Sequence, residues 1–323
     1  MTTFKEIRGT AIESVSSDPS NPEVGQIWYN NTIGVLKGYL SIGAVWSAGG
    51  NLNTARQGVG GAGTQTAALA FGGGPPNTAS TESYNGSSWT SVNSLNTARD
   101  EVDGCGTQTA ALAAGGYNAG YVGTTESWNG TSWTTKNPMA TGRAYFALFG
   151  TQTAAIGATG YIQPGGTTNA SESWDGTNWT SSTSVNTARY GLGGIGTQTA
   201  GLIFGGDTRP NTGVLSATES WNGTSWTTVN SLNTARQYLA GCGTQTAALA
   251  FGGATPPVTG ATEKYNGTSW TTSPNSMGTA RRSLAGTGTQ TAGLGFGGNS
   301  GSITVATEEF TDPSFGVQKI TTS

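Results

Sequence analysis

The run Gly-Thr-Gln-Thr-Ala occurs six times, beginning at Gly63, Gly106, Gly150, Gly196, Gly243 and Gly288. An arginine precedes each copy by seven residues: Arg56, Arg99, Arg143, Arg189, Arg236 and Arg281. Successive copies lie 43 to 47 residues apart. One supersecondary unit is therefore repeated along most of the chain. Units of this length cannot bury their own apolar face and must stack, as in a solenoid or a propeller.

The second unit shows what is stacked. A short strand after Arg99 reaches Cys105, and the Gly-Thr-Gln-Thr run then forms a polar hairpin turn. A second strand, Ala110-Ala111-Leu112-Ala113-Ala114, ends at Gly115-Gly116 and is rich in the small residues that crowded packing near an axis requires. A loop of variable length leads to a third strand ending at Trp128. Asn129-Gly130 then signals a type I′ hairpin into a fourth strand from Trp133. Four short antiparallel strands per unit describe a propeller blade. The expected fold is all-β: a six-bladed β-propeller over residues 51–323, preceded by a β-rich segment over 1–50, with seven blades as the alternative.

Aromatic pairs five residues apart recur across the third hairpin: Tyr84 and Trp89, Trp128 and Trp133, Trp174 and Trp179, Trp221 and Trp226, Tyr265 and Trp270. They are expected to pack between neighbouring blades. The last unit has Phe310 and Phe315 instead, and its tail can supply its own fourth strand. Trp46 lies ten residues before Arg56, the spacing of Trp89 to Arg99, so the N-terminal segment also ends in something like a fourth strand.

One glutamate recurs in each third strand: Glu82, Glu126, Glu172, Glu219, Glu263 and Glu308. Six arginines at one phase and six glutamates at another imply six copies of a bidentate, partly buried structural pair. Arg236 is expected to meet either Glu219 or Glu263. A catalytic pair would make one blade different, and these look alike.

Composition narrows the chemistry. The chain has no histidine, which removes Ser-His-Asp catalysis and imidazole metal sites. No cofactor or metal is expected. The net charge of −3 is carried without charged runs, so no nucleic-acid partner is indicated. No apolar run is long enough for a membrane span or a secretory signal. The four Asn-Gly-Ser/Thr sequons (Asn85, Asn129, Asn222, Asn266) then read as turn chemistry. Cys105 and Cys242 share one repeat position in the second and fifth units, too far apart across a six-unit ring for a disulfide.

Gly72-Gly73, Tyr84, Trp89 and Arg99 together resemble the kelch repeat, and the match extends over roughly residues 51–323. The turn between the two aromatics is shorter here than is usual in that family. The resemblance implies a β-propeller and no particular activity. Copper oxidases of this fold use histidine ligands, which this chain cannot supply.

The run Asp18-Pro19-Ser20-Asn21-Pro22, followed by Gly25-Gln26-Ile27-Trp28-Tyr29-Asn30, resembles segments at the start of tail-fibre-like and other structural proteins of tailed, particularly marine, bacteriophages. That resemblance implies a virion protein, assembled in the host cytoplasm and attached to other virion proteins through residues 1–48. Its propeller head would decorate the particle or recognise a host-surface glycan or protein. A glycan-binding lectin or adhesin is the second reading. A propeller glycosidase or lyase is the least favoured, because the non-repeated acids Asp103, Asp175 and Asp207 share no convergent motif.

In a four-stranded blade the Gly-Thr-Gln-Thr and Asn-Gly turns share one face, and the long loops and arginine-bearing connections share the other. The loops vary in length, which marks their face as the expected recognition surface. The expected contacts there are Tyr117, Tyr121, Tyr161, Gln163, Asp207 and Arg209. The ring of Thr-Gln-Thr turns is a second candidate surface for a carbohydrate or an acidic partner.

Overall fold

The computed structural model describes residues 12–208 and 213–320. Among the described residues every regular element is a strand. The chain separates into two compact units: Trp46–Phe310, and a smaller one drawn from Met1–Val45 and Thr311–Ser323.

In the larger unit, the second repeat forms a four-stranded antiparallel sheet from Asp103–Thr107, Ala110–Ala114, Thr125–Trp128 and Trp133–Lys136. The repeats beginning with Gly60–Gly63, Ala147–Thr151, Gly193–Thr197 and Ala240–Thr244 follow the same plan. Each first strand packs against the first strand of the next repeat, and Ala285–Gly288 packs against Gly60–Gly63. This is a β-propeller-like arrangement.

The repeated residues explain its regularity. Gly106 takes a φ of 100°, and a Cβ there would lie 2.3 Å from the Ala110 carbonyl oxygen, so the turn admits glycine. The second strands are packed on both faces, and Ala111, Leu112, Ala113 and Ala114 are fully buried. Trp133 stacks edge-on against Phe71 of the preceding repeat at 4.9 Å, and its indole N–H donates to Thr81 Oγ1. Trp89, Trp179 and Trp270 make the same bond to the preceding repeat through Thr307, Thr125 and Thr218. The aromatic pairs thus do pack between neighbours.

The Asn-Gly turns differ from the expected type I′ form. Trp128 pairs with Trp133, so four residues make the connection, and Gly130 has positive φ whereas Asn129 does not. The Asn129 side-chain oxygen instead accepts the N–H groups of Thr131 and Ser132. Asparagine serves here as a local acceptor that caps the turn, and Asp175 does the same for Thr177 and Asn178.

Six Arg–Glu pairs form, and each joins an arginine to the glutamate that follows it in sequence: Arg56–Glu82, Arg99–Glu126, Arg143–Glu172, Arg189–Glu219, Arg236–Glu263 and Arg281–Glu308. They are buried rather than partly buried, and single-contact rather than bidentate. The geometry follows from competing acceptors. In the fifth repeat, Arg236 Nη1 donates to the carbonyls of Gly252 and Ala261, while Glu263 Oε2 accepts the Asn233 backbone N–H at 2.7 Å. Each pair therefore ties the arginine-bearing connection to the second and third strands of its sheet. Burial lowers the pKa of every one of these guanidinium groups, that of Arg99 to about 10, against the raising effect of its glutamate.

Ring closure departs from the expectation that the C-terminal tail makes its own fourth strand. Thr307–Lys319 runs on as a single strand, and Val35–Ala48 lies beside it in the position of the fourth strand. No Asn-Gly turn follows Phe310, so nothing reverses the chain. Trp46 makes the same indole bond by donating to Thr262 Oγ1, and it packs against Phe251 and Phe310, whereas Trp226 donates to the Thr183 carbonyl instead. The Phe315 side chain lies outside the described residues.

In the smaller unit, Glu13–Val15 pairs in parallel with Ile27–Asn30, which pairs in antiparallel with the start of Val35–Ala48. Asp18 accepts hydrogen bonds from Trp28 Nε1, Asn30 Nδ2 and Lys37 Nζ, which hold its carboxyl down at about 2. The Asp-Pro-x-Asn-Pro…Trp-Tyr-Asn motif is thereby a folding motif, with Trp28 fully buried and bonded to Asp18. Both cysteines are free and buried; Cys105 Sγ and Cys242 Sγ each approach a threonine carbonyl in the next repeat's turn.

Candidate functional site: a tyrosine track and an axial cavity

The two faces of the larger unit are built differently. On one, a Cβ at Gly130 would sit 3.5 Å from the Thr109 carbonyl, so the Asn-Gly and Gly-Thr-Gln-Thr turns lie together. Their glutamines are not a free ring of amides. Gln108 donates to the carbonyls of Ala68 and Tyr84 in the preceding repeat; Gln65, Gln152, Gln245 and Gln290 repeat the pattern, and Gln198 donates to the Trp174 carbonyl and the Ser173 hydroxyl. The carbonyls of Gln108, Gln152 and Gln198 accept the indole N–H of Trp128, Trp174 and Trp221. The turn ring, considered above as a binding surface, spends its glutamines on stapling one repeat to the next.

The opposite face gathers the tyrosines. Tyr117 and Tyr121 rings lie 5.5 Å apart, and Tyr121 and Tyr161 are again 5.5 Å apart. Tyr161 continues to Tyr190 at 5.5 Å. Tyr190 then joins Tyr145 and Tyr238 in a triangle with sides of 5.6 to 6.0 Å. Three of the residues expected to make contacts, Tyr117, Tyr121 and Tyr161, are thus brought into one track. Gln163 is exposed at the tip of the hairpin formed by Tyr161–Ile162 and Gly166–Thr167, and its Oε1 lies near Gly120. Asp207 does not belong to the surface: it is buried, and its backbone pairs in both directions with Tyr190. Arg209 lies outside the described residues.

The inner end of the track is a cavity of about 120 Å³ at the place where the first strands meet, lined by Glu101, Asp103, Tyr145, Tyr238 and Ser283 among others. Its rim is made by the second residue after each repeat arginine: Gly58, Glu101, Tyr145, Gly191, Tyr238 and Ser283. All six adopt left-handed φ between 49° and 63°, although only two are glycines. Backbone N–H groups of Gly58, Gly191, Tyr238 and Ser283 donate to a neighbouring rim carbonyl, which holds this unusual conformation. Gly58 leaves room for Glu101, whose carboxylate lies 2.7 Å from where a Cβ at position 58 would stand.

Electrostatically the rim is acidic. Burial raises Glu101 to about 8, with Asp100 and Asp103 adding to the rise and Arg282 opposing it. Burial raises Asp103 to about 7, although its oxygens accept the Gly104 and Leu148 N–H groups. Asp100 is raised by burial, and its Oδ1 is buried without a hydrogen-bond partner. The Tyr145 hydroxyl is raised by burial and by these acids.

Sequence reasoning looked to the long loops and missed Asp100, Glu101, Tyr145, Tyr190 and Tyr238. The signal was present. The two positions after each arginine read Gln-Gly, Asp-Glu, Ala-Tyr, Tyr-Gly, Gln-Tyr and Arg-Ser, variable columns inside an otherwise uniform repeat. The acid Asp103 converges with its own neighbours Asp100 and Glu101, while Asp175 caps a turn and Asp207 is buried behind Tyr190. No family model matches the chain, and no curated protein matches it.

Proposed function

We propose that this chain is a non-enzymatic structural protein of a bacteriophage virion, a six-bladed kelch-like propeller held on the particle by its N-terminal segment. Its loop-bearing face recognises the host surface. The observation that carries the recognition reading is the gathering of non-repeated tyrosines from several repeats into one track on that face. Uniform repeats need no such asymmetry for stability, and tyrosines supply amphipathic contact area at low entropic cost. The six repeats and the circuit of first strands support the blade count. The order of double glycine, paired aromatics and arginine supports the kelch assignment.

For attachment, support comes from the smaller unit. Five of the six exposed large apolar residues among the described ones, Ile12, Val24, Tyr29, Ile33 and Val317, belong to it. Such a concentration suits docking on another protein. Because Trp46 and its strand neighbours complete the sixth sheet, a deletion that tests attachment must spare them. A chain lacking residues 1–34 is expected to unfold cooperatively like the full chain yet be missing from purified particles, as read by immunolabelling of the virion. Incorporation at the full-length level would refute the attachment role.

A further inference from the structure

We infer that the tyrosine track and the axial cavity form one binding site for an oligosaccharide bearing free amino groups, one amine seating in the cavity between Glu101 and the rings of Tyr145 and Tyr238. This deepens the recognition reading above and rests on it.

The ligand must be long and narrow. Tyr117, Tyr121 and Tyr161 advance in equal steps of 5.5 Å, one ring wide, and the buried Tyr190 links Tyr161 to Tyr145 and Tyr238, which line the cavity. Ring hydroxyls beside ring faces offer a sugar both hydrogen bonds and apolar C–H contact. A protein partner would require aliphatic or aromatic anchors at the centre of a broad patch. Among the described residues of the larger unit, Tyr117 is the only large apolar side chain that is exposed. The track therefore fits a chain of sugar rings better than a protein surface.

The charge of the ligand follows from the cavity. Glu101 lines it and makes no hydrogen bond or ion pair among the described residues, in contrast to the six repeat glutamates. Asp103 lines it as well, Asp100 stands beside Glu101, and Arg282 is the one cation acting on Glu101. An ammonium seated beside Glu101 would pair with the carboxylate and displace the proton that Glu101 otherwise holds up to about pH 8, and the tyrosine rings lining the same opening add cation–π attraction. Once ionised, the same acids repel uronates, sialosides and phosphates.

Calorimetric titration of the full chain at neutral pH with glucosamine, N-acetylglucosamine and galacturonate hexamers tests this. The glucosamine hexamer is expected to bind at least about tenfold more tightly than the N-acetylated one, and the galacturonate hexamer not at all. Glu101→Gln should remove that preference without lowering Tm, and Tyr161→Ala should weaken both amino-sugar ligands. Equal affinity for the glucosamine and N-acetylglucosamine hexamers, preference for galacturonate, no binding of any hexamer, or an unaltered preference in Glu101→Gln overturns the inference. Particles carrying Tyr161→Ala separate the two levels. If they adsorb poorly to host cells while no hexamer binds the protein, the ligand class is wrong and recognition by the track stands. If they adsorb normally, recognition by the track fails too.

Discussion

At the scale of single residues, the buried Arg–Glu pairs are the costliest element to disturb. Arg236 is fully buried, and its removal leaves Glu263 buried with one backbone N–H as its remaining partner. Arg236→Ala is expected to cost about 3–5 kcal/mol, because an uncompensated buried charge is left behind. In a protein of this size that lowers Tm by about 2–4 °C for each kcal/mol. Replacing both partners, Arg236→Met with Glu263→Leu, should recover part of the loss, although the carbonyls of Gly252 and Ala261 then lose their donor. Thermal unfolding of the three variants decides it. An unchanged Tm in Arg236→Ala would show that the pairs are not structural. The sequence made this partnership legible as a count, six against six. It left open which glutamate each arginine meets, because that choice depends on how the connection folds back over its own sheet.

At the scale of elements, the sixth sheet decides whether the ring holds. Its outer strand comes from the N-terminal side, so the first and last strands of the repeat array belong to one sheet. Joining distant parts of the chain in one sheet makes closure cooperative with the whole head. Trp46→Ala should therefore destabilise the entire larger unit by about 3 kcal/mol, the order expected for losing a packed tryptophan. A deletion through residue 48 should destabilise it further, whereas deletion of 1–34 should leave the head folded. Denaturant titration followed by tryptophan fluorescence measures all three. Equal stability of the two deletions would mean that the strand containing Trp46 does not close the ring. The spacing of Trp46 to Arg56 already pointed to a fourth strand. What it could not tell was that Thr307–Lys319 would run straight on, which depends on the missing turn after Phe310 and on the neighbour available to each edge.

For the molecule as a whole, the axial acids predict a pH dependence. Glu101 and Asp103 have folded-state values of about 8 and about 7, above the ordinary carboxylate range. The folded protein thus binds these protons more tightly than the unfolded chain. Their contribution to stability is fully present below about pH 4 and is lost as pH rises through 7 and 8. Tm should fall as pH rises from about 5 to about 9. Glu101→Gln with Asp103→Asn should flatten that fall. A Tm profile equally steep in the double variant would place the titrating groups elsewhere. An amine bound in the cavity should also flatten it, since a cation there favours the charged carboxylates.

The sequence by itself determined the repeat, the four-stranded unit, the place of the turns and the pairing partners in kind, because each is a local pattern copied along the chain. Copying made the signal strong: glycine where a Cβ would strike a carbonyl, alanine where strands crowd, tryptophan where a neighbour must be covered. Tertiary structure alone decided what is not copied. The track draws Tyr117, Tyr121, Tyr145, Tyr161, Tyr190 and Tyr238 from four repeats, and no sequence spacing relates a loop tyrosine in one repeat to a rim tyrosine in another. It also decided which glutamines were available, since the turn ring that looked free in sequence is consumed by carbonyls of the preceding repeat. Such contacts run across sheets, at right angles to the chain. They exist only once the repeats have closed on one another.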